Sequence, residues 1–171
     1  MIEYVILVDE NDAPIGRAEK MEAHEKGLLH RAFSVFVSNS KGEILLQRRA
    51  LTKYHSAGLW TNTCCSHPRP SEDIMEGAHR RLQEEMGFDC ELREVFKFTY
   101  TAKLEAGLTE NEIDHVLVGI YEKDPVINPE EVEEFKWAPI DWLIEDLKKN
   151  PDVYTAWFKI CFKEVLAHIN I

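Results

Sequence analysis

Apolar positions change rhythm several times along this chain, and each change marks the end of one element and the start of the next. Tyr4 to Val8 is a run of strand formers that stops at the turn-rich Asp9-Glu10-Asn11-Asp12-Ala13-Pro14. Glu19 to His24 then reads as a short helical or looped approach. Arg31 to Ser38 and Glu43 to Arg48 are further strands, and Asn39-Ser40-Lys41-Gly42 between them has the composition of a hairpin turn. From Ala50 to Pro70 the pattern is lost, with Gly58, Pro68 and Pro70 breaking any regular element. Irregular stretches of that length in compact domains commonly carry function.

Periodicity returns at Ser71-Glu72-Asp73. A serine cap and acids in a first turn suit the unpaired N–H groups and the positive dipole end of a helix, so a helix is expected from there to Met86, with Gly87 as its stop. Helical spacing puts Ile74, Ala78, Arg81 and Glu85 on one stripe and Met75, Leu82 and Met86 on an adjacent apolar one, which turns a charged edge toward a site. Leu92 to Thr101 and Glu110 to Glu122 are expected strands around a loop holding Gly107, and Val132 to Trp137 is another. Two helices close the chain: Asp141 to Lys149, and one whose apolar face is Val153, Ala156, Trp157, Ile160, Cys161 and Val165. No repeat, low-complexity tract or linker interrupts this order, and 171 residues, 44% of them hydrophobic, suit one domain over 1-171 with a real core.

Charge narrows the choice of partners. A formal net charge of −11 argues against a nucleic-acid or anionic-membrane surface, so an anionic substrate needs a local basic or metal-lined pocket. Met1 runs into Ile2-Glu3-Tyr4 without a basic start or a small-residue cleavage site, and no apolar run is long enough to span a bilayer. The four cysteines, at 64, 65, 90 and 161, form no C-x-x-C pair, and a reducing, cytoplasmic setting is expected. Cys64, Cys90 and Cys161 read as small buried hydrophobes.

The irregular stretch contains Thr61-Asn62-Thr63-Cys64-Cys65-Ser66-His67-Pro68, and a later strand contains Glu110-Asn111-Glu112. Alternate residues of an extended chain share a face, so Cys65 with His67, and Glu110 with Glu112, can each converge on one pocket. A thiol, an imidazole and two carboxylates are the parts of an acid-base metal site.

The stretch Glu72 to Phe88 resembles the Nudix box, G-x5-E-x7-R-E-U-x-E-E-x-G-U, in which U is apolar. Glu72, Arg80, Leu82, Glu84, Glu85, Gly87 and Phe88 fit; Ser66 replaces the leading glycine, and Arg81 replaces a glutamate of the metal-binding helix. That loss weakens the alternative of a Nudix hydrolase acting on a nucleoside or prenyl diphosphate. Taken with the Cys65 and Glu110-Asn111-Glu112 motifs and with His24 and His30, the chain is similar to the type 1 isopentenyl-diphosphate isomerases over nearly its whole length.

The resemblance implies an α/β, Nudix-like sandwich, a mixed β-sheet flanked by helices, acting on a small prenyl diphosphate in isoprenoid synthesis. It implies Cys65 and Glu112 as the groups that give and take a proton on opposite faces of the alkene, with Tyr100 assisting and Trp157 offering an aromatic face to a carbocation-like intermediate. A thiol beside a metal cluster is expected to gain thiolate character. His24, His30, His67, Glu110 and Glu112 are the implied ligands of a first ion, and ligand type alone does not choose among Mn²⁺, Mg²⁺ and Zn²⁺. Glu85 is implied as the holder of a second ion, Mg²⁺, that arrives with the diphosphate, which Lys20, Arg49, Lys53 and Arg81 are implied to contact. His55, His79, His115 and His168 are expected to be ordinary histidines.

Overall fold

The computed structural model describes residues 1–169. Strand β1 (Tyr4–Val8) pairs antiparallel with β2 (Pro14–Glu19), which the hydropathy pattern did not show. Pro14 opens β2, a sheet edge where a missing N–H costs no ladder bond, and only Ala18 of this strand is buried. A strand without a buried face leaves no period-two signal. Helix α1 (Lys20–Lys26) follows and buries Ala23 and His24.

The expected hairpin is real but brief. Strands β3 (His30–Ser38) and β4 (Glu43–Arg49) share the single register pair Ser38 and Ile44 before they part. Strand β3 then runs parallel to β8 (Thr109–Ile120) along its whole length, and its other edge takes β6 (Cys64–Ser66). Strand β8 pairs antiparallel with β7 (Leu92–Lys103), while β4 pairs with β5 (Trp60–Thr61) and β9 (Val132–Pro139).

The gap between β3 and β4 explains the Thr61-Asn62-Thr63 motif. Thr63 Oγ1 accepts from Val37 N–H at 2.9 Å and donates to Leu45 C=O at 2.6 Å, so one hydroxyl replaces the ladder bonds the diverging strands cannot make. Asn62 Nδ2 donates to Val35 C=O at 3.0 Å and to Cys64 C=O at 2.8 Å. Part of the stretch expected to be irregular is therefore held as two short strands, β5 and β6.

Helix α2 (Ile74–Met86) covers one face of the sheet. Its cap is Asp73, not Ser71: the Asp73 carboxylate accepts from Glu76 N–H, and the Glu76 carboxylate accepts from Asp73 N–H, a reciprocal box that Ser71 lies too early to make. Gly87 ends the helix at φ 68, where an added Cβ would stand 2.3 Å from Val126 O. Helices α3 (Ile140–Lys149) and α4 (Ala156–Leu166) cover the other face. Val153 belongs to a 3₁₀ turn ahead of α4 and, like Ile160 on the helix itself, is exposed, so neither is on that helix's buried apolar face. A mixed sheet between helical layers is the α/β sandwich that was expected.

Candidate active site

Strand register decides which side chains meet. Residues paired across a sheet point to the same face, and Cys65 is paired with Ser34, His30 with Glu112, and Glu112 with Tyr100. All of these project to the side covered by α4. Cys64 is paired with Val35 and projects to the α2 side, among Leu82, Met86 and Leu117. The adjacent cysteines thus end in different cores, as the period of two demands. Strands β6 and β8 lie on opposite edges of β3, so Cys65 and Glu112 reach one cavity from its two sides.

That cavity is lined by Cys65, His67, Tyr100, Glu110, Glu112 and Trp157, with Lys20, Arg49, Lys53 and Arg81 also on its wall. Every residue expected to be catalytic, and all four expected to contact diphosphate, is on one surface. His24 and His30 stand behind it, wholly buried. Glu85 does not line the cavity.

The imidazoles and carboxylates are arranged as ligands. His24 Nδ1 meets Lys20 C=O at 2.7 Å and His30 Nδ1 meets Leu28 C=O at 2.8 Å, contacts that place the proton on Nδ1 and leave each Nε2 a lone pair. His24 Nε2 is fully enclosed and has no hydrogen-bond partner, a costly orphan unless a cation meets it. His30 Nε2 lies 3.3 Å from His67 Nε2, and Glu112 Oε2 lies 3.6 Å from the first and 3.3 Å from the second. Ligand atoms of His24, His30, His67 and Glu112 all fall within 4.8 Å of one another, a donor set that fits a divalent ion. Glu110 falls instead into a second such group, with His24 and His55.

The titratable groups have been pushed apart. Burial lowers His67 to about 4 against the opposing pull of Glu112, and burial also lowers His24, so both imidazoles are neutral and ready to ligate. Burial opposes the charge of Glu112, but the hydrogen bond to His67, with the charge that His67 and His30 carry once protonated in acid, more than offsets it and holds the carboxyl well below the ordinary range. Glu110 is driven the other way, by burial and by the charge of Glu112. Tyr100 Oη donates to both carboxylates, at 3.0 Å to Glu112 Oε1, and burial with these neighbours raises its pKa. Burial raises the Cys65 thiol far above its usual range, Arg49 opposes this only partly, and Glu85, Glu110 and Asp114 reinforce it, so the protein's own groups favour S–H where an adjacent ion would favour the expected thiolate.

Cations at the rim carry internal counter-ions. Lys20 pairs with Glu3, Lys53 with Glu131 at 2.5 Å, and Arg81 with Glu84 at 2.6 Å, Glu85 at 2.7 Å and Glu131 at 3.2 Å. Gln47 Nε2 also donates to Glu85, at 3.0 Å. Arg49 has an enclosed Nε without a partner, and its guanidinium lies 5.4 Å from the Trp157 ring centroid. Trp157 Nε1 donates to Asn62 Oδ1 at 3.2 Å, which fixes the indole through the same asparagine that anchors β6.

His55 and Asp114 are buried wall residues that lie outside the motifs. His55, read as ordinary, is buried with Nε2 3.0 Å from Glu110 Oε1. Asp114 accepts from Ser34 Oγ at 2.7 Å through Oδ2, while its enclosed Oδ1 is unpartnered. The signal for Asp114 was present, because it continues the alternation of Glu110 and Glu112. The expectation for His115 holds: it faces away and pairs with Asp12 at 2.8 Å and Glu94 at 2.7 Å. Cys90 is half-buried, whereas Cys64 and Cys161 are buried as expected.

Comparison with known proteins agrees with this geometry at two depths. The NUDIX domain model matches residues 28–158. The solved structure of DR0079 from Deinococcus radiodurans superposes with a TM-score of 0.79 over 95% of this chain and 98% of its own, at 16% identity. The MutT protein of Methanosarcina mazei Go1 gives 0.67 over 82% and 94%, at 21% identity. Both likenesses concern the fold alone. Sequence similarity goes further. Isopentenyl-diphosphate Delta-isomerase 2 of Photorhabdus laumondii is 55% identical over 93% of this chain and 90% of its own length, and isopentenyl-diphosphate Delta-isomerase 1 of Aromatoleum aromaticum is 53% identical over 98% and 94%. Identity at that level over nearly full length, on a scaffold whose box helix has Arg81 in place of a glutamate, means that the chain belongs to the isopentenyl-diphosphate Delta-isomerase family of Nudix-domain proteins.

Proposed function

We propose that this chain interconverts isopentenyl and dimethylallyl diphosphate at the cavity between β3, β6, β8 and α4. The observation that carries the reading is the convergence in one cavity of a thiol, a carboxylate joined to a phenol, and an indole face, with four cations on the same lining. An isolated alkene is a very weak base, so its protonation needs a dry site and a group already carrying a proton.

Cys65 is that donor in the direction of dimethylallyl formation. Its S–H bond breaks as a C–H bond forms at the terminal alkene carbon, and positive charge develops at the tertiary carbon. Glu112, ionised and on the other edge of β3, takes a proton from the neighbouring methylene as the new double bond forms. Tyr100 bridges Glu112 to Glu110 and gives that proton a route off Glu112, and exchange with solvent between turnovers restores the Cys65 S–H and the Glu112 carboxylate. Lys20, Arg49, Lys53 and Arg81 bind the head group by exchanging carboxylate partners such as Glu3 and Glu131 for phosphate oxygens. A divalent ion at the His/Glu cluster would keep its carboxylates charged, and Mg²⁺ brought by the diphosphate would bind Glu85 beside Arg81.

Hydrolysis fits less well. Arg81 pairs with both Glu84 and Glu85, the box carboxylates a hydrolase needs for its metals, and hydrolysis leaves Cys65 without work. The deciding experiment incubates the protein with isopentenyl diphosphate and Mg²⁺ in D₂O. Dimethylallyl product carrying deuterium, with no released phosphate, is expected. Phosphate without isomer would replace this reading with hydrolysis, and binding without either product would reduce the protein to a ligand-binding module.

Trp157 tests the intermediate. A desolvated cation over an indole face gains about 2 kcal/mol, or roughly 30-fold in rate; the Arg49 guanidinium 5.4 Å from the ring centroid supports reading this indole as a partner for positive charge. Trp157→Phe is expected to retain measurable turnover and Trp157→Ala to lose at least that factor in kcat per folded molecule. Equal kcat in wild type and Trp157→Ala would remove the indole from the mechanism.

A further inference from the structure

His55 is the histidine of the cavity wall that neither the motifs nor the resemblance assigns. Its Nε2 stands 3.0 Å from Glu110 Oε1, and its ring centroid is 5.6 Å from that of His24. Ligand atoms of His24, His55 and Glu110 lie within 4.8 Å of one another, just as those of His24, His30, His67 and Glu112 do. His24 is common to both groups, and its enclosed Nε2 is the atom without a hydrogen-bond partner. One nitrogen lone pair binds one ion. The two groups are therefore flanks of a single site and not two sites sharing a ligand.

Spacing within each flank suits coordination. Donors bound cis to one ion at about 2.1 Å stand about 3 Å apart, and the His55–Glu110, His30–His67 and His67–Glu112 separations are 3.0, 3.3 and 3.3 Å. The backbone around His55 also holds one ring orientation. Ser56 adopts φ 52, a left-handed conformation uncommon outside glycine, with its N–H donating to the Glu105 carboxylate. Ser56 Oγ meets His55 Nδ1 at 3.0 Å, and Arg49 donates to His55 C=O at 3.1 Å. Engaging Nδ1 turns Nε2 toward the cluster, as the carbonyls of Lys20 and Leu28 do for His24 and His30.

We propose that His55 is a further ligand of the ion at the His/Glu centre, which then offers four imidazoles and two carboxylates. Such a nitrogen-rich, six-donor set suits an octahedral first-row transition ion such as Mn²⁺, Fe²⁺ or Co²⁺ better than Mg²⁺, which prefers oxygen and retained water. The inference rests on the reading that this cluster is the metal centre.

The test strips the full-length protein of metal and titrates it with Mn²⁺ alone, reading affinity and stoichiometry by calorimetry and coordinated nitrogens by pulsed EPR on ¹⁵N-histidine-labelled protein. Wild type is compared with His55→Ala, His55→Gln, His67→Ala and His79→Ala, the last altering a histidine paired with Asp89 on the far side of α2. Wild type and His79→Ala should bind one ion per chain. His55→Ala should bind one ion about 10–100-fold more weakly and lose one nitrogen coupling. His55→Gln should recover part of the affinity but not the coupling, and circular dichroism of each metal-free variant checks folding; should His55→Ala unfold, the glutamine variant decides. Unchanged affinity and nitrogen count at position 55, with weakened binding in His67→Ala, would overturn the role of His55 alone. Two ions per chain would also overturn it. No Mn²⁺ uptake by wild type, or none lost in His67→Ala, would remove the metal-centre reading itself and this inference with it.

Discussion

Cys65→Ser is expected to lower kcat by about 10²–10⁴-fold, the usual contribution of a positioned proton donor, while Cys64→Ser keeps kcat per folded molecule near wild type. The contrast follows from strand alternation. Cys65 faces the cavity opposite Ser34, whereas Cys64 is fully buried on the other side of the sheet against the α2 core. A hydroxyl is a far weaker acid than a thiol, so serine at 65 keeps the shape but holds its proton too tightly to give it to an alkene. Serine at 64 puts a polar group into an apolar layer and should appear as a loss of about 1–3 kcal/mol in folding stability. Dimethylallyl formation measured against the folded fraction, with denaturant melts of both variants, separates the two effects. Activity retained by Cys65→Ser and abolished in Cys64→Ser would assign the chemistry to the wrong face of the sheet.

The same alternation explains what could and could not be read from the chain. Strands β1, β3, β4, β7, β8 and β9 and helices α2, α3 and α4 each bury an apolar face of their own and so were visible in the pattern. Strands β2, β5 and β6 were not. β2 has almost no buried face, and β5 and β6 are two and three residues long, strands only because β3 and β4 part and expose edges that Thr63 and Asn62 can reach. Cys65 with His67, and Glu110 with Glu112, were legible because alternation alone puts each pair on one face. His55 was not, because its place depends on a left-handed turn at Ser56 and on Glu105, contacts between residues far apart in sequence. Nor could composition show that burial works against a Cys65 thiolate; the motif names a thiol, and its surroundings bias its charge.

Those surroundings also make Glu112 the position where substitution should be most damaging. Its side chain is almost fully enclosed, 4% exposed, and one oxygen faces the Nε2 atoms of His30 and His67 while the other accepts from Tyr100. Glu112→Gln nearly preserves volume and deletes the charge, and the amide N–H₂ that replaces one oxygen cannot ligate a cation. Two losses are expected together: Mn²⁺ affinity falls by at least about 10–100-fold, and proton removal from the substrate loses about 10²–10⁴-fold. Metal concentration separates them. At Mn²⁺ high enough to refill the site, the first loss should disappear and the second remain, leaving a metal-loaded protein that binds substrate but forms dimethylallyl diphosphate at less than about one hundredth of the wild-type rate. Recovery of full kcat on adding Mn²⁺ would make Glu112 a ligand only and move the proton acceptor to the neighbouring Glu110–Tyr100 pair.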